Sequence, residues 1–454
     1  MLTQLTFSNF KSWPKAQLTL APITGLFGTN SSGKTSILQF LLLLKQTKDA
    51  TDRALSLELN GSFVQLGTIR DAIHRHDENA RLRFDLAFQL DSPLTLQDPA
   101  RQKTASIATA RDVTYAADIA VHQKAPRAER LAYGIDDLTF TLERGKGKER
   151  EFDLKAAPED RFRFIRTQGR AWGLPGPIKA YAFPDQARTY FQNAAFLADL
   201  EAAYEAEMDR LYYLGPLREY PRRDYFWSGS RPGDVGRFGE HAIGAIAAAT
   251  EASTKLKLPG RRAKVPFQKM VAHWLRELGL IHSFNVKEIK EGTNRWQALV
   301  VTREGGAEVL LTDVGFGVSQ VLPVVTLLLY VPEGSTVILE QPEIHLHPLA
   351  QANLADVIIY AARQRRVQVI LESHSEHLLL RLQRRIAEGT LPADDVKLYF
   401  SDAPSGVSQL TELQLDLLGN IRNWPQNFMG DAFGEIASAE LKRIERRREG
   451  EARQ

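Results

Sequence analysis

Cysteine is absent from this 454-residue chain. That excludes disulfides, thiolate metal sites and cysteine nucleophiles, and it fits a reducing compartment. Long apolar runs are missing as well. The most apolar stretches, Phe40 to Leu44 and Val321 to Val331, fall short of the ~20 residues that cross a bilayer. Met1 leads straight into a strand-like segment with Leu2, Leu5 and Phe7, without a signal-peptide pattern. A cytoplasmic protein with no membrane contact is therefore expected. Charge of one sign is also scarce, since the net charge is only +3, so any nucleic-acid surface has to be a local patch. Internal repeats, low-complexity tracts and long heptad runs are not found. The remaining composition, 43% hydrophobic and 25% charged, is that of a globular protein, long enough for two or three domains.

What is present is a complete phosphate-binding P-loop, Gly28-Thr29-Asn30-Ser31-Ser32-Gly33-Lys34-Thr35. An apolar strand-like run (Ile23, Leu26, Phe27) leads in, and a helical run (Ile37, Leu38, Phe40, Leu41, Leu42) leads out. The glycines let backbone N–H groups curl around a polyphosphate, and the helix aims its positive end at it. Asn30, Ser31, Ser32 and Ser36 complete the phosphate-facing set. Lys34 is expected to neutralise the β- and γ-phosphates of ATP, with the Thr35 hydroxyl on Mg²⁺.

A second half of the site lies far along the chain. Ser335 to Glu340 reads as a strand ending in a carboxylate, where a Walker B acid holds Mg²⁺ partly through water. It continues as Gln341-Pro342-Glu343-Ile344-His345-Leu346-His347-Pro348. Another apolar strand, Val367 to Leu371, ends in Glu372-Ser373-His374-Ser375, and strand ends are where α/β folds place chemistry. Upstream, Thr312-Asp313-Val314-Gly315-Phe316-Gly317-Val318-Ser319-Gln320 is a Gly-rich turn opening an apolar helix, a second anion-binding end. Two such ends reach one triphosphate most easily when two chains pack head-to-tail.

This order of motifs resembles the ABC-type ATPases of the SMC, RecF and OLD branch, and most of all the stand-alone AAA-class ATPases of prokaryotic anti-phage defence (PtuA- and AriA-like). Tyr213-Leu214-Gly215-Pro216-Leu217-Arg218 and Asn423-Trp424-Pro425-Gln426-Asn427-Phe428 are similar to further segments of those proteins. The resemblance implies that Glu340 is the Walker B acid and His374 the switch histidine. It implies that Gly315 and Gly317, with Ser319, form the signature that caps a partner's nucleotide, and that Gln65 is a candidate Q-loop residue. It further implies a homodimer or higher oligomer built on shared ATP sites, controlling a separate effector such as a nuclease, with DNA as another partner.

Two positions depart from that pattern. Gly315 replaces the usual signature serine, and Gln341 stands where the catalytic glutamate is expected. Glutamine can orient water but cannot take its proton. Either hydrolysis is slow and ATP acts as a clamp, or Glu343 or His345 supplies the base.

Other readings compete. His345, His347, His374 and His377 invite a metal site, though the first two are too close in sequence to share a helix face. Lys255, Lys257, Arg261, Arg262, Lys264 and Lys269 form a stretch without acids, and Arg218, Arg222, Arg223, Arg231 and Arg237 are interleaved with aromatics. Both are candidate surfaces for nucleic acid or an effector. The expectation is an α/β P-loop NTPase of ABC-ATPase type with an antiparallel β subdomain and an inserted helical lobe. Its divisions fall at 1–185 (P-loop lobe with the β subdomain), 186–282 (helical insertion), 283–415 (signature, Walker B and switch histidine) and 416–454 (C-terminal extension). The function expected is an ATP-hydrolysing switch; the alternatives are a RecF- or SMC-like DNA-repair ATPase and a slow, ATP-clamped scaffold.

Overall fold

The structure, a computed structural model, describes residues 1–98, 106–145, 151–169, 173–425, 438 and 441–443. Most of the charged tail from Leu441 onward and part of the 423–428 motif lie outside the described residues. The chain opens with β1 (Leu2–Phe10), β2 (Trp13–Thr19), β3 (Ile23–Gly28), α1 (Lys34–Asp49) and the short α2 (Ile69–Ala72). Long strands follow: β4 (Leu82–Gln97), β5 (Ser106–His122), β6 (Ala125–Ile135), β7 (Leu138–Arg144) and β8 (Phe152–Ala157). Then come α3 (Asp185–Tyr190), α4 (Leu197–Asp209), β9 (Leu211–Leu214), β10 (Tyr225–Phe226) and α5 (Ala242–Glu251). The hairpin β11 (Lys255–Lys257) and β12 (Lys264–Pro266) precedes α6 (Phe267–Glu277), β13 (Ser283–Glu288), β14 (Arg295–Val301) and β15 (Val309–Leu310). The last part alternates: α7 (Phe316–Tyr330), β16 (Thr336–Glu340), α8 (Pro348–Arg365), β17 (Gln368–Glu372), α9 (Glu376–Ala387), β18 (Val396–Asp402) and β19 (Gln409–Leu413).

Two sheets organise these elements. The central one runs β19-β18-β3-β17-β16-β9, parallel except for β19 at its edge. Its inner strands read as unbroken apolar runs because both faces are covered: β16 and β17 are buried at every position. Ile338 and Ile370 face one core, shared with α1 and α4. Val337, Leu339, Val369 and Leu371 face the other, built from α5 to α9. The second sheet is antiparallel, in the order β2-β1-β4-β5-β6-β7-β8. Its strands alternate, as in the buried–exposed repeat of β8, because one face meets the core and the other water. Helix α7 is apolar all round and therefore central. Its last carbonyls, Leu328 and Val331, accept from the buried Arg365 guanidinium at 2.8 and 2.7 Å.

This is the α/β architecture that the motifs predict, with the P-loop on a mostly parallel sheet, an antiparallel sheet beside it and a largely helical core on the other face. Local differences remain. The alternating run Phe162-Arg163-Phe164-Ile165 predicts a strand, but these residues form none. Asn193 takes their backbone instead, accepting from Ile165 N and donating to Arg163 O at 2.8 Å each, while Phe162 and Phe164 pack on Phe140 and Phe196. Leu211–Leu214, within the span read as a helical insertion, pairs in parallel with β16. Among the described residues no helix is long and apolar enough to cross a membrane.

Candidate nucleotide site

The P-loop is clamped from behind by three segments. Gly28 and Gly33 adopt φ of 139° and 92°, where a side chain is strained. A Cβ on Gly28 would lie 1.9 Å from the Ser401 carbonyl oxygen, and one on Gly33 2.5 Å from Ser408 Oγ. Trp13 Nε1 donates to Gly33 O at 3.0 Å, and Ser401 Oγ to Ser32 O at 2.8 Å. Thr29, Asn30 and Ser31 stay exposed. Lys34 is buried and donates to Gly28 O and Thr29 O at 3.1 and 2.6 Å. Burial lowers its pKa, opposed by the Glu372 carboxylate.

Beside the loop the parallel register lines up the strand ends: Leu26 pairs with Glu372, and Glu372 with Glu340. Thr35 Oγ1 donates to Glu372 Oε2 at 2.7 Å. Burial raises the pKa of Glu372, opposed by the Thr35 bond and Lys34. Glu340 accepts from Tyr213 Oη at 2.8 Å. Its pKa is pushed up to about 7, chiefly by burial, with Glu372 adding and the Tyr213 bond, Arg237 and Arg218 opposing. Two acids and a hydroxyl with cations nearby form a hard oxygen set of the kind Mg²⁺ takes. The loop's two left-handed glycines, its Lys34 and the Ser32 hydroxyl, buried without a hydrogen-bond partner among the described residues, suit a phosphate chain, so the residues present fit Mg-ATP.

Arg218 strengthens that fit. It is 7% exposed, and its Nη2 reaches Glu340 O at 3.3 Å. Among the described residues its Nε and Nη1 have no hydrogen-bond partner, and burial lowers its pKa to about 10. A buried guanidinium with two unused donors is costly unless an anion meets it.

The candidate bases fare differently. Gln341 sits at φ 44° with its N–H on Glu372 O at 2.8 Å, a strained backbone that only its surroundings can hold. Glu343 is buried, and its Oε1 accepts the His374 backbone N–H at 2.8 Å. It braces the switch loop rather than facing solvent. His345 is exposed and packs edge-on against Phe316, 5.8 Å between centroids. Partial burial and the nearby Lys34 ammonium hold the His374 pKa below its usual range, so its ring is neutral at pH 7 and can donate from only one nitrogen. No three His, Asp or Glu side chains gather into a metal-holding group among the described residues.

The signature residues do not join this cluster. Gly315 and Phe316 are exposed at the start of α7; nothing lies within 4 Å of a Cβ built on Gly315, and one on Gly317 would meet His345 O at 3.3 Å. Ser319, expected to reach nucleotide, is buried and donates to Phe316 O at 2.9 Å. Its hydroxyl therefore bonds back to a carbonyl in the first turn of its own helix. Gln65 is exposed on a loop held to α1 by buried Gln46, whose Oε1 accepts from Val64 N at 2.9 Å.

Sequence reasoning passed over Glu372, Tyr213 and Gln46 as site residues, and named Arg218 only within a basic stretch. Glu372 carried a signal: an acid closing an apolar strand two residues before His374. Tyr213 opened the segment similar to those ATPases, but nothing in the sequence pairs β9 with β16 and so places its hydroxyl on Glu340.

The family described as "AAA domain, putative AbiEii toxin, Type IV TA system" matches residues 23–381, and one described as a protein of unknown function (DUF3696) matches residues 391–438. Similar solved structures include an SmcHead bound to the C-winged helix domain of ScpA (11% identity, 91% of this chain and 98% of the other, TM-score 0.45). The SMC head domain from Thermotoga maritima is similar at 11% identity, over 91% of this chain and 99% of that one, with a TM-score of 0.39. A Smc head from Pyrococcus furiosus with an extended coiled coil, bound to the C-terminal domain of ScpA, is 10% identical over 98% and 99% of the two chains, with a TM-score of 0.46. No curated protein matches the sequence.

Proposed function

The chain belongs to the AbiEii-type AAA family, and from that premise we propose that it is a slow ATP-driven switch, assembling head-to-tail around Mg-ATP to control a partner effector in prokaryotic defence. The observation that carries this reading is the convergence of Lys34, Thr35, Glu372 and Glu340 on one end of the central sheet. The open signature turn at Gly315 supports the assembly step, because that anion-binding end is left for a partner copy's nucleotide.

In this reading the loop amides and Lys34 hold the phosphates, and the Lys34 ammonium exchanges the Gly28 and Thr29 carbonyls for phosphate oxygens. Thr35, Glu340 and Glu372 would hold Mg²⁺, which when bound neutralises charge between β- and γ-phosphate oxygens. Glu340 must lose its proton to serve, so binding strengthens as pH rises through about 7. Arg218 turns its free donors toward the anion. Neutral His374 donates to the γ-phosphate while Glu343 fixes its backbone. Gln341 aligns water without taking its proton, which makes the ATP-bound assembly long-lived.

Phosphate release and solution mass, measured with and without Mg-ATP for wild type and Lys34→Ala, test this. Mass doubling with ATP and slow release, both lost in the variant, is expected. Unchanged mass and no Lys34-dependent turnover would sink it.

A further inference from the structure

Between the β11–β12 hairpin, α6 and α8 lies a cavity of about 850 Å³. It shares no residue with the P-loop, the Walker B strand or the switch loop. The size is that of a small-ligand site. Its inner wall is apolar and partly aromatic: Leu258, Val265, Ile359, and the rings of Trp274 and Tyr360, whose centroids are 5.2 Å apart. Its mouth carries Arg261, Lys269 and Arg276, all exposed.

Independent observations mark this mouth as built for an anion. Between Glu251 and Glu277 the chain has no acid, yet it has Lys255, Lys257, Arg261, Arg262, Lys264, Lys269 and Arg276. The salt bridges found among the described residues include none of these seven. In the other basic stretch Arg222 pairs with Glu219 and Arg223 with Asp313. Of the two acids in the lining, Asp356 is already taken by Arg381 and Arg385 at 2.6 and 2.7 Å, and Glu277 lies 3.9 Å from His273 Nδ1. Lys257 also stands directly opposite Lys264 in the hairpin, and like charges so placed are destabilising. Burial lowers the His273 pKa, opposed by the Glu277 carboxylate, with Arg276 and Arg261 adding to the lowering. Trp274, 5% exposed, has an indole N–H with no partner among the described residues.

We propose that this cavity is a second nucleotide site, with phosphate on Arg261, Lys269 and Arg276 and the base against Leu258, Ile359 and Tyr360. Two guanidiniums and an ammonium around one opening suit the several oxygens of a phosphate better than a single carboxylate. The flat apolar wall suits a planar ring. The ligand is either a free nucleotide or one unit of a single strand.

The test uses full-length protein carrying Lys34→Ala, which silences the P-loop. AMP is followed by calorimetry, and labelled oligothymidylate by anisotropy at about 50 and about 200 mM salt. One probe is expected to bind, and to bind about tenfold or more weakly when Arg261→Glu, Lys269→Glu and Arg276→Glu are added. Binding of AMP alone identifies a free nucleotide; binding of the oligonucleotide alone, weakened by salt, identifies a strand. Failure of both probes, loss of less than about twofold in the charge variant, or equal displacement by polyglutamate would overturn the proposal. The single Lys269→Ala, which cannot disturb folding through reversed charge, must show a smaller loss in the same direction. ATP turnover of the charge variant with Lys34 intact should match wild type. A failed switch reading would therefore appear in turnover and a failed cavity only in probe binding.

Discussion

Helices α1 and α7 both begin at a glycine, and their surroundings are opposite. At α1, Gly33 is locked at φ 92° with Trp13, Ser12 and Ser408 within 2.8 Å of where its Cβ would be. At α7, Gly315 has an ordinary φ of −56° and nothing within 4 Å of its Cβ position. Phe316 beside it is 49% exposed and packs only at its edges on Tyr220 and His345. The first end is built to be complete within one chain. The second presents a helix N-terminus with free space around it, as the proposed completion by another copy would require.

The largest effect should come from the enclosed end. Lys34→Ala is expected to reduce ATP turnover by about 10²–10³-fold, the scale for removing one preorganised charge-stabilising donor. Phosphate release checks it, and near-normal turnover would remove the P-loop from the chemistry. Next is Gln341→Glu, which restores a proton acceptor worth about 10²-fold or more in rate. An unchanged rate would show that chemistry is not the slow step.

The same substitution at both helix starts sharpens the contrast. Gly33→Ser should cost about 1–3 kcal/mol through backbone strain, read by chemical denaturation, and should weaken nucleotide binding. Gly315→Ser should leave stability within about 0.5 kcal/mol and tighten ATP-dependent association a few-fold, since the added hydroxyl can donate to a partner's γ-phosphate. Equal destabilisation at both positions would erase the distinction between a closed and an open end.

The smallest effect is on pH dependence. Glu340 has a folded pKa of about 7 against an ordinary 4.5, so the fold favours its protonated form. The stability this group contributes is fully present below the unfolded value and is lost as pH rises through about 7. Glu340→Gln should therefore raise the melting temperature at about pH 8 and leave it little changed at about pH 5. A gain at both pH values would mean that the carboxylate is not held neutral.

Much of this was legible beforehand. The P-loop, the strand ending at Glu340 and the switch loop at His374 are local patterns, and each lies on the expected element. What escaped was whatever depends on two distant segments meeting. Glu343 looked like a base in sequence, yet it is buried, and one of its carboxylate oxygens accepts the His374 N–H. Ser319 looked like a signature donor, yet its hydroxyl closes a turn of its own helix. Two basic stretches looked alike, and only packing shows that Arg222 and Arg223 of one are ion-paired while Arg261, Lys269 and Arg276 of the other line a cavity.

The sequence by itself determined the phosphate loop, because a glycine-rich turn between an apolar strand and a helix is specified by neighbours along the chain. It also determined that the inner strands are buried on both faces, through their unbroken apolar runs. The tertiary structure decided the charge states and partners at the site: Glu340 raised and bonded to Tyr213, Glu372 on Thr35, and Arg218 with donors to spare. Those depend on burial and on groups more than a hundred residues apart in the chain, and the protonation of a carboxylate answers to its surroundings in space rather than to its neighbours in sequence.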